Sequence, residues 1–85
     1  MTNQWFINKA VKLVHDYVIE HLDKTDFVPP FDVYVVWNCY ILGSQKALIS
    51  TTISDGMYYE VTYNAVKDEI YLDAYKKFEN RCIKL

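Results

Sequence analysis

At 85 residues the chain has room for one domain, because pieces of it would bury too little apolar surface to fold alone. An apolar content of 52% excludes disorder, and nine Lys+Arg against eleven Asp+Glu, a formal charge of −2, argues against the basic patch on which phosphate binding depends. The same balance is too mild for an acidic mimic of a nucleic-acid duplex. Further exclusions come from particular segments. Residues 1–7 lack the charged start and long apolar run of a signal peptide. No stretch approaches the roughly 20 apolar residues needed to span a bilayer. Cys39 and Cys82 stand far apart within apolar patterns, so no disulfide framework is expected. The composition therefore predicts a soluble cytoplasmic domain with reduced thiols.

From Asn3 to Asp23 the pattern is helical. At about 100° per residue, Phe6, Ile7, Ala10, Val11, Leu13, Val14, Tyr17, Val18 and Leu22 share one broad arc, with Lys9, Lys12, Asp16 and Glu20 opposite. Thr2 or Asn3 is placed to cap the first turn. The cluster Asp23-Lys24-Thr25-Asp26 leads into Val28-Pro29-Pro30, where a double proline ends any helix and predicts an extended connector.

Strand character follows. Asp32 to Ile41 is rich in β-branched and aromatic residues; strict alternation puts Val33, Val35, Trp37, Cys39 and Ile41 on one face and Tyr34, Val36, Asn38 and Tyr40 on the other. Gly43-Ser44 supplies a turn, and Lys46 to Ile53 is the second expected strand. Asp55-Gly56 is a strong hairpin signal, since a tight primed turn needs the positive φ that glycine adopts freely. Met57 to Tyr63 is the third strand, and Asn64 to Asp68 a polar turn. Glu69 to Leu72 reads as a short fourth strand. From Asp73 onward the spacing of Tyr75, Phe78 and Cys82 suggests a short C-terminal helix capped by Asp73. The expected architecture is α+β: over residues 1–85, a single domain with an N-terminal helix packed on a three- to four-stranded antiparallel meander and a short C-terminal helix.

Candidate chemistry is sparse. His15 and His21, six positions apart on a helix, point roughly 120° from each other and cannot clamp one metal as an i, i+4 pair would. The plainer reading of His21 is a hydrogen-bonded core histidine. Two cysteines and two histidines without paired spacing make a poor zinc site, and nothing marks either thiol as an activated nucleophile. Ser50, Thr51, Thr52, Ser54 and Asp55 cluster before the hairpin, where threonine belongs in strands and Ser-Asp-Gly in turns. Glu60, Asp68, Glu69 and Asp73 occupy ordinary strand and turn positions. Gly43 and Gly56 are isolated, so no phosphate loop is present. The expectation is a non-enzymatic protein without cofactor or metal.

Apolar groups in polar company are the remaining signal. Trp5 and Ile19 fall on the charged side of the helix, and Tyr58, Tyr59, Tyr63 and Tyr71 give the sheet an excess of tyrosine. Aromatic rings ringed by charge are the anchors that protein interfaces use. Trp5, Ile19, Tyr58, Tyr59 and Tyr63 are accordingly the candidate partner-binding residues. The plainer alternative is that the tyrosines line the sheet and cover a small core.

Through STTISDGMYYEVTYN and EIYLDAYKKFEN, with DVYVVW before them and Ser54-Asp55-Gly56-Met57-Tyr58-Tyr59 at the centre, the chain resembles a family of small uncharacterised proteins encoded by phages and prophages of Gram-positive bacteria. That family has no established activity, so no functional residue is carried over. The resemblance implies a compact phage protein acting in the cytoplasm of a bacterial host. In that setting the expected partner is a host protein, such as a defence nuclease inhibited in the manner of an anti-CRISPR protein. A homodimer is a second expectation, given a tyrosine face and free strand edges. The alternative is a nucleic-acid-binding module, because α-β-β-β-α is the order of double-stranded-RNA-binding domains. Against it, Asp73-Ala74-Tyr75-Lys76-Lys77 offers only one lysine pair.

Overall fold

In the computed structural model, which describes residues 3–22, 30–41 and 43–85, one helix packs on one face of a four-stranded antiparallel sheet. The helix α1 spans Asn3–His21, and the strands are β1 Val33–Ile41, β2 Ser44–Thr51, β3 Met57–Asn64 and β4 Glu69–Lys76. They follow a plain meander, β1-β2-β3-β4. Thr2 and the segment 23–29, where a cap and a connector are expected, lie outside the described residues.

The expected apolar arc is the face that α1 buries. Phe6, Ala10, Val14 and Val18, at steps of four, form its buried stripe, which is how a helix presents one row to a sheet. Opposite them stand Ala47 and Ile49 of β2 and Tyr59, Val61 and Tyr63 of β3. Phe6, Val14, Ile49 and Val61 are fully enclosed; each such side chain contributes roughly 1.5–3 kcal/mol of transfer free energy. The helix lies over β1, β2 and β3.

The C-terminal helix is not formed. Residues 69–76 are one eight-residue strand, and residues 77–85 have no regular structure. The reason is non-local. β3 offers β4 a continuous ladder from Asn64↔Glu69 to Met57↔Lys76, and along it Ile70 and Leu72 turn to the helix side while Tyr71, Asp73 and Tyr75 turn away. The three- and four-residue spacing of Tyr75, Phe78 and Cys82 is outweighed by that pairing. The described residues run α-β-β-β-β, not the α-β-β-β-α order of a double-stranded-RNA module.

β1 departs from strict alternation. Val33 pairs with Thr51 and Val35 with Ile49, but Trp37 then pairs with Leu48, leaving Val36 as an extra residue in a β-bulge. A bulge shifts parity by one, so side chains beyond it change faces. Val33 and Val35 point to the helix, whereas Trp37, Cys39 and Ile41 align with Leu48, Lys46 and Ser44 on the opposite face. The expected five-residue stripe is split in two.

The β2–β3 connection is also longer than a two-residue turn, running through residues 52–56. Its hydroxyls build it. Thr51 Oγ1 accepts from the Ile53 N–H at 3.2 Å, Thr52 Oγ1 accepts from the Asp32 N–H at 2.9 Å, and Ser50 Oγ donates to the Met57 carbonyl at 3.1 Å. Asp55 Oδ1 accepts from the Met57 N–H at 3.0 Å, and Gly56 sits at φ 71°, so Asp-Gly does close the loop. These hydroxyls and this carboxylate are turn structure, as their residue types predict.

Candidate protein-binding face

One face of the sheet carries the helix; among the described residues nothing packs on the other. Register assigns its members in rows across the strands. Tyr34, Ser50, Tyr58 and Tyr75 form one row; Trp37, Leu48, Glu60 and Asp73 the next; Cys39, Lys46, Thr62 and Tyr71 a third; Ile41, Ser44, Asn64 and Glu69 the last. Trp37 is 43% exposed and Tyr75 53%, with Tyr34, Ile41 and Tyr71 in the same range. Large rings held on a rigid sheet lose little side-chain entropy when covered, which suits them to binding.

The centre of this face is polar and partly self-neutralised. Lys46 Nζ lies 3.3 Å from Glu60 Oε1, a diagonal cross-strand pair. The Tyr71 hydroxyl donates to Glu69 Oε2, and that hydrogen bond holds the phenol above its ordinary pKa. One lysine, Lys46, against Glu60, Glu69 and Asp73 leaves the face with a formal charge of −2. That sign opposes a phosphate backbone and favours a basic partner.

The candidate residues named from the sequence scatter over the fold. Tyr58 is on the open face. Tyr59 and Tyr63, one residue away in parity, face the helix; Tyr59 is only 3% exposed, and burial is the first cause that raises its pKa, followed by the charge of Asp55. Tyr63 donates its hydroxyl to Asp68 Oδ1 at 2.8 Å. Neither tyrosine is therefore available on an exposed sheet surface. Trp5 remains 43% exposed but leans edge-on against the Tyr63 ring, centroids 5.6 Å apart, so it caps one end of the core. Ile19 is exposed near the other end of α1 and lies apart from all of these. Trp37, Tyr34 and Tyr75 were not singled out by sequence. The bulge at Val36 that turns Trp37 outward has no signal in the residue types around it.

The histidines serve the helix. His21 is exposed rather than in the core, its ring stacked on Tyr17 at 4.0 Å with Nδ1 2.8 Å from the Tyr17 carbonyl, which can only accept. His15 stacks on Phe31 at 5.3 Å. It borders a groove of about 520 Å3 between α1 and the start of β1, where Lys12 and Asp16 pair at 3.0 Å. That hydrogen bond lowers the Asp16 pKa. Cys39 belongs to the open face, across the sheet from both histidines, so no cysteine–histidine pair is assembled with it. Cys82 is a free exposed thiol beyond β4. Among the described residues no three His, Cys, Asp or Glu side chains are grouped to hold a metal ion, and no helix is long and apolar enough to cross a membrane.

No curated protein and no solved structure matches the chain. Residues 7–85, which span α1 almost from its start and all four strands, match the model of a family of unknown function, DUF6275, and the chain belongs to that family.

Proposed function

We propose that this chain is a stoichiometric protein-binding module that uses the uncovered face of its sheet, and that it acts in the cytoplasm of a bacterial host on a host protein, with a defence nuclease as the first target class to test. The observation that carries the reading is the open face itself, a rigid four-stranded surface with Trp37, Tyr34, Tyr58, Tyr71 and Tyr75 on it and no covering layer among the described residues. Large aromatic side chains left on one uncovered sheet face suit it to protein binding even though its centre is polar. The phage setting comes from the resemblance of the segments around Ser54–Tyr59 to phage-encoded proteins, and it supplies the kind of partner. Trp37 on the edge strand β1 and Tyr75 on the opposite edge strand β4 are its anchors; Tyr58 on β3 supports them.

The test is retention of a partner from a Gram-positive host lysate on the tagged chain, compared with the Trp37→Ala/Tyr75→Ala variant. Because both rings are on the uncovered face, the variant is expected to stay folded and to lose the partner, with a cost of about 2 kcal/mol or more per anchor. A partner held equally well by both forms would place binding elsewhere, and recovery of nucleic acid alone would replace the protein-binding reading.

A further inference from the structure

Beyond β4 the chain continues as an arm, residues 77–85, that the other described residues do not cover. The Lys77 N–H donates to the Gly56 carbonyl at 2.8 Å, which keeps the start of the arm in line with β4 and directed past the β2–β3 loop. After that point the arm buries nothing: Phe78 is 96% exposed, Ile83 75%, and Leu85 is fully open. An arm with three large apolar side chains in water and, among the described residues, an aromatic sheet face without a cover are complementary deficits in one molecule.

We propose that the arm of one copy lies on the open sheet face of a second copy, reciprocally, forming a dimer by arm exchange. This rests on the reading of that face as a protein-binding surface and names its resident occupant. Charge matches as well as polarity. The arm carries Lys77, Arg81 and Lys84 against Glu79, a formal +2, and the face carries −2, with Asp73 on the same strand that launches the arm. Size matches too. Nine extended residues reach about 30 Å and an eight-residue strand about 27 Å. One arm therefore covers about 400 Å2, and reciprocal exchange brings each copy to about 800 Å2, the area a stable interface needs. The arm contains neither glycine nor proline, so a sharp reversal onto its own face has no favoured turn residue other than Asn80. Reaching a second copy requires no reversal. A foreign protein that uses the open face then competes with the arm.

The full chain carrying a photoreactive phenylalanine analogue in place of Phe78 is prepared in light and heavy isotope forms, mixed at millimolar concentration and irradiated. The expected result is a light–heavy cross-link from position 78 to a peptide holding Trp37 or Tyr75, with a light-scattering mass of twice 10.1 kDa for the unmodified chain. Trp37→Asp and Arg81→Glu should each weaken self-association by about tenfold or more, since one removes an anchor and the other reverses a charge. Both side chains are exposed, and circular dichroism checks that the variants stay folded. Cross-links confined to single chains, or a wild-type mass of one chain, would overturn arm exchange and leave the open face to be judged by the lysate experiment. A dimer that Trp37→Asp dissolves but removal of residues 78–85 does not would keep the face as an interface and dismiss the arm.

Discussion

Phe6, enclosed between α1 and the sheet, and Trp5 beside it show how position outweighs residue type. Truncating Phe6 to Ala removes a fully buried ring and leaves a cavity, and is expected to cost about 3–5 kcal/mol in urea unfolding. That loss would be a large part of the stability of so small a domain. Tyr63 adds a pH dependence. Its hydrogen bond to Asp68 is the main cause that raises its pKa above the ordinary tyrosine value, with burial and the Asp68 charge acting in the same direction. A group whose folded pKa is raised gives stability that is complete below its unfolded value and is lost as pH rises through the folded one. Thermal stability should thus fall as pH climbs above about 10. Tyr63→Phe should make that fall shallower without abolishing it, because Tyr59 and Tyr71 are shifted the same way. An unchanged slope would show that the Tyr63–Asp68 bond does not hold in solution.

At the scale of elements, the bulge in β1 and the length of β4 decide what the surface displays. Val36 is the extra residue between two correctly paired halves, Val35↔Ile49 and Trp37↔Leu48. Deleting it joins those halves into a regular strand with every other side chain on its present face. The deletion variant should therefore remain folded, with a melting temperature within a few degrees of the wild type. Deleting Leu48 from the central strand β2 reverses the faces of everything on one side of it and should abolish the cooperative transition. Loss of folding on removing Val36 would mean that the bulge is not where the ladder places it. The helix was readable because its apolar stripe is local and repeats over five turns. The bulge was not, because an extra residue in a strand is visible only against the partner it skips.

At the scale of the molecule, the two-layer arrangement of the described residues leaves one sheet face and one arm uncovered, and both bear on stability as well as binding. If the arm joins two copies, the unfolding midpoint must rise with protein concentration, since association stabilises the folded state by mass action. Removal of residues 78–85 should then leave a midpoint that no longer depends on concentration and equals the wild-type value at high dilution. Denaturant curves at two concentrations a hundredfold apart measure this directly. A concentration-independent wild type would set self-association aside while leaving the fold, and the lysate test of the face, as they stand.

The sequence by itself determined the α+β class, the helix and its buried row, and the four strand-forming segments. Each of these depends on spacing within a few residues or on the backbone freedom of Gly43 and Gly56, both at positive φ. Only the tertiary structure decided that residues 73–76 join a strand, that Trp37 turns away from the helix, and which of the two alternating faces of β3, that of Tyr58 or that of Tyr59, the helix covers. These outcomes depend on which strand lies alongside and in what register. Pairing of that kind is a free-energy contest between distant segments, in which the eight-residue ladder offered by β3 outweighs a weak helical spacing, and parity across a bulge reassigns every side chain that follows. The membership of the binding face is written in register, which composition and periodicity do not carry.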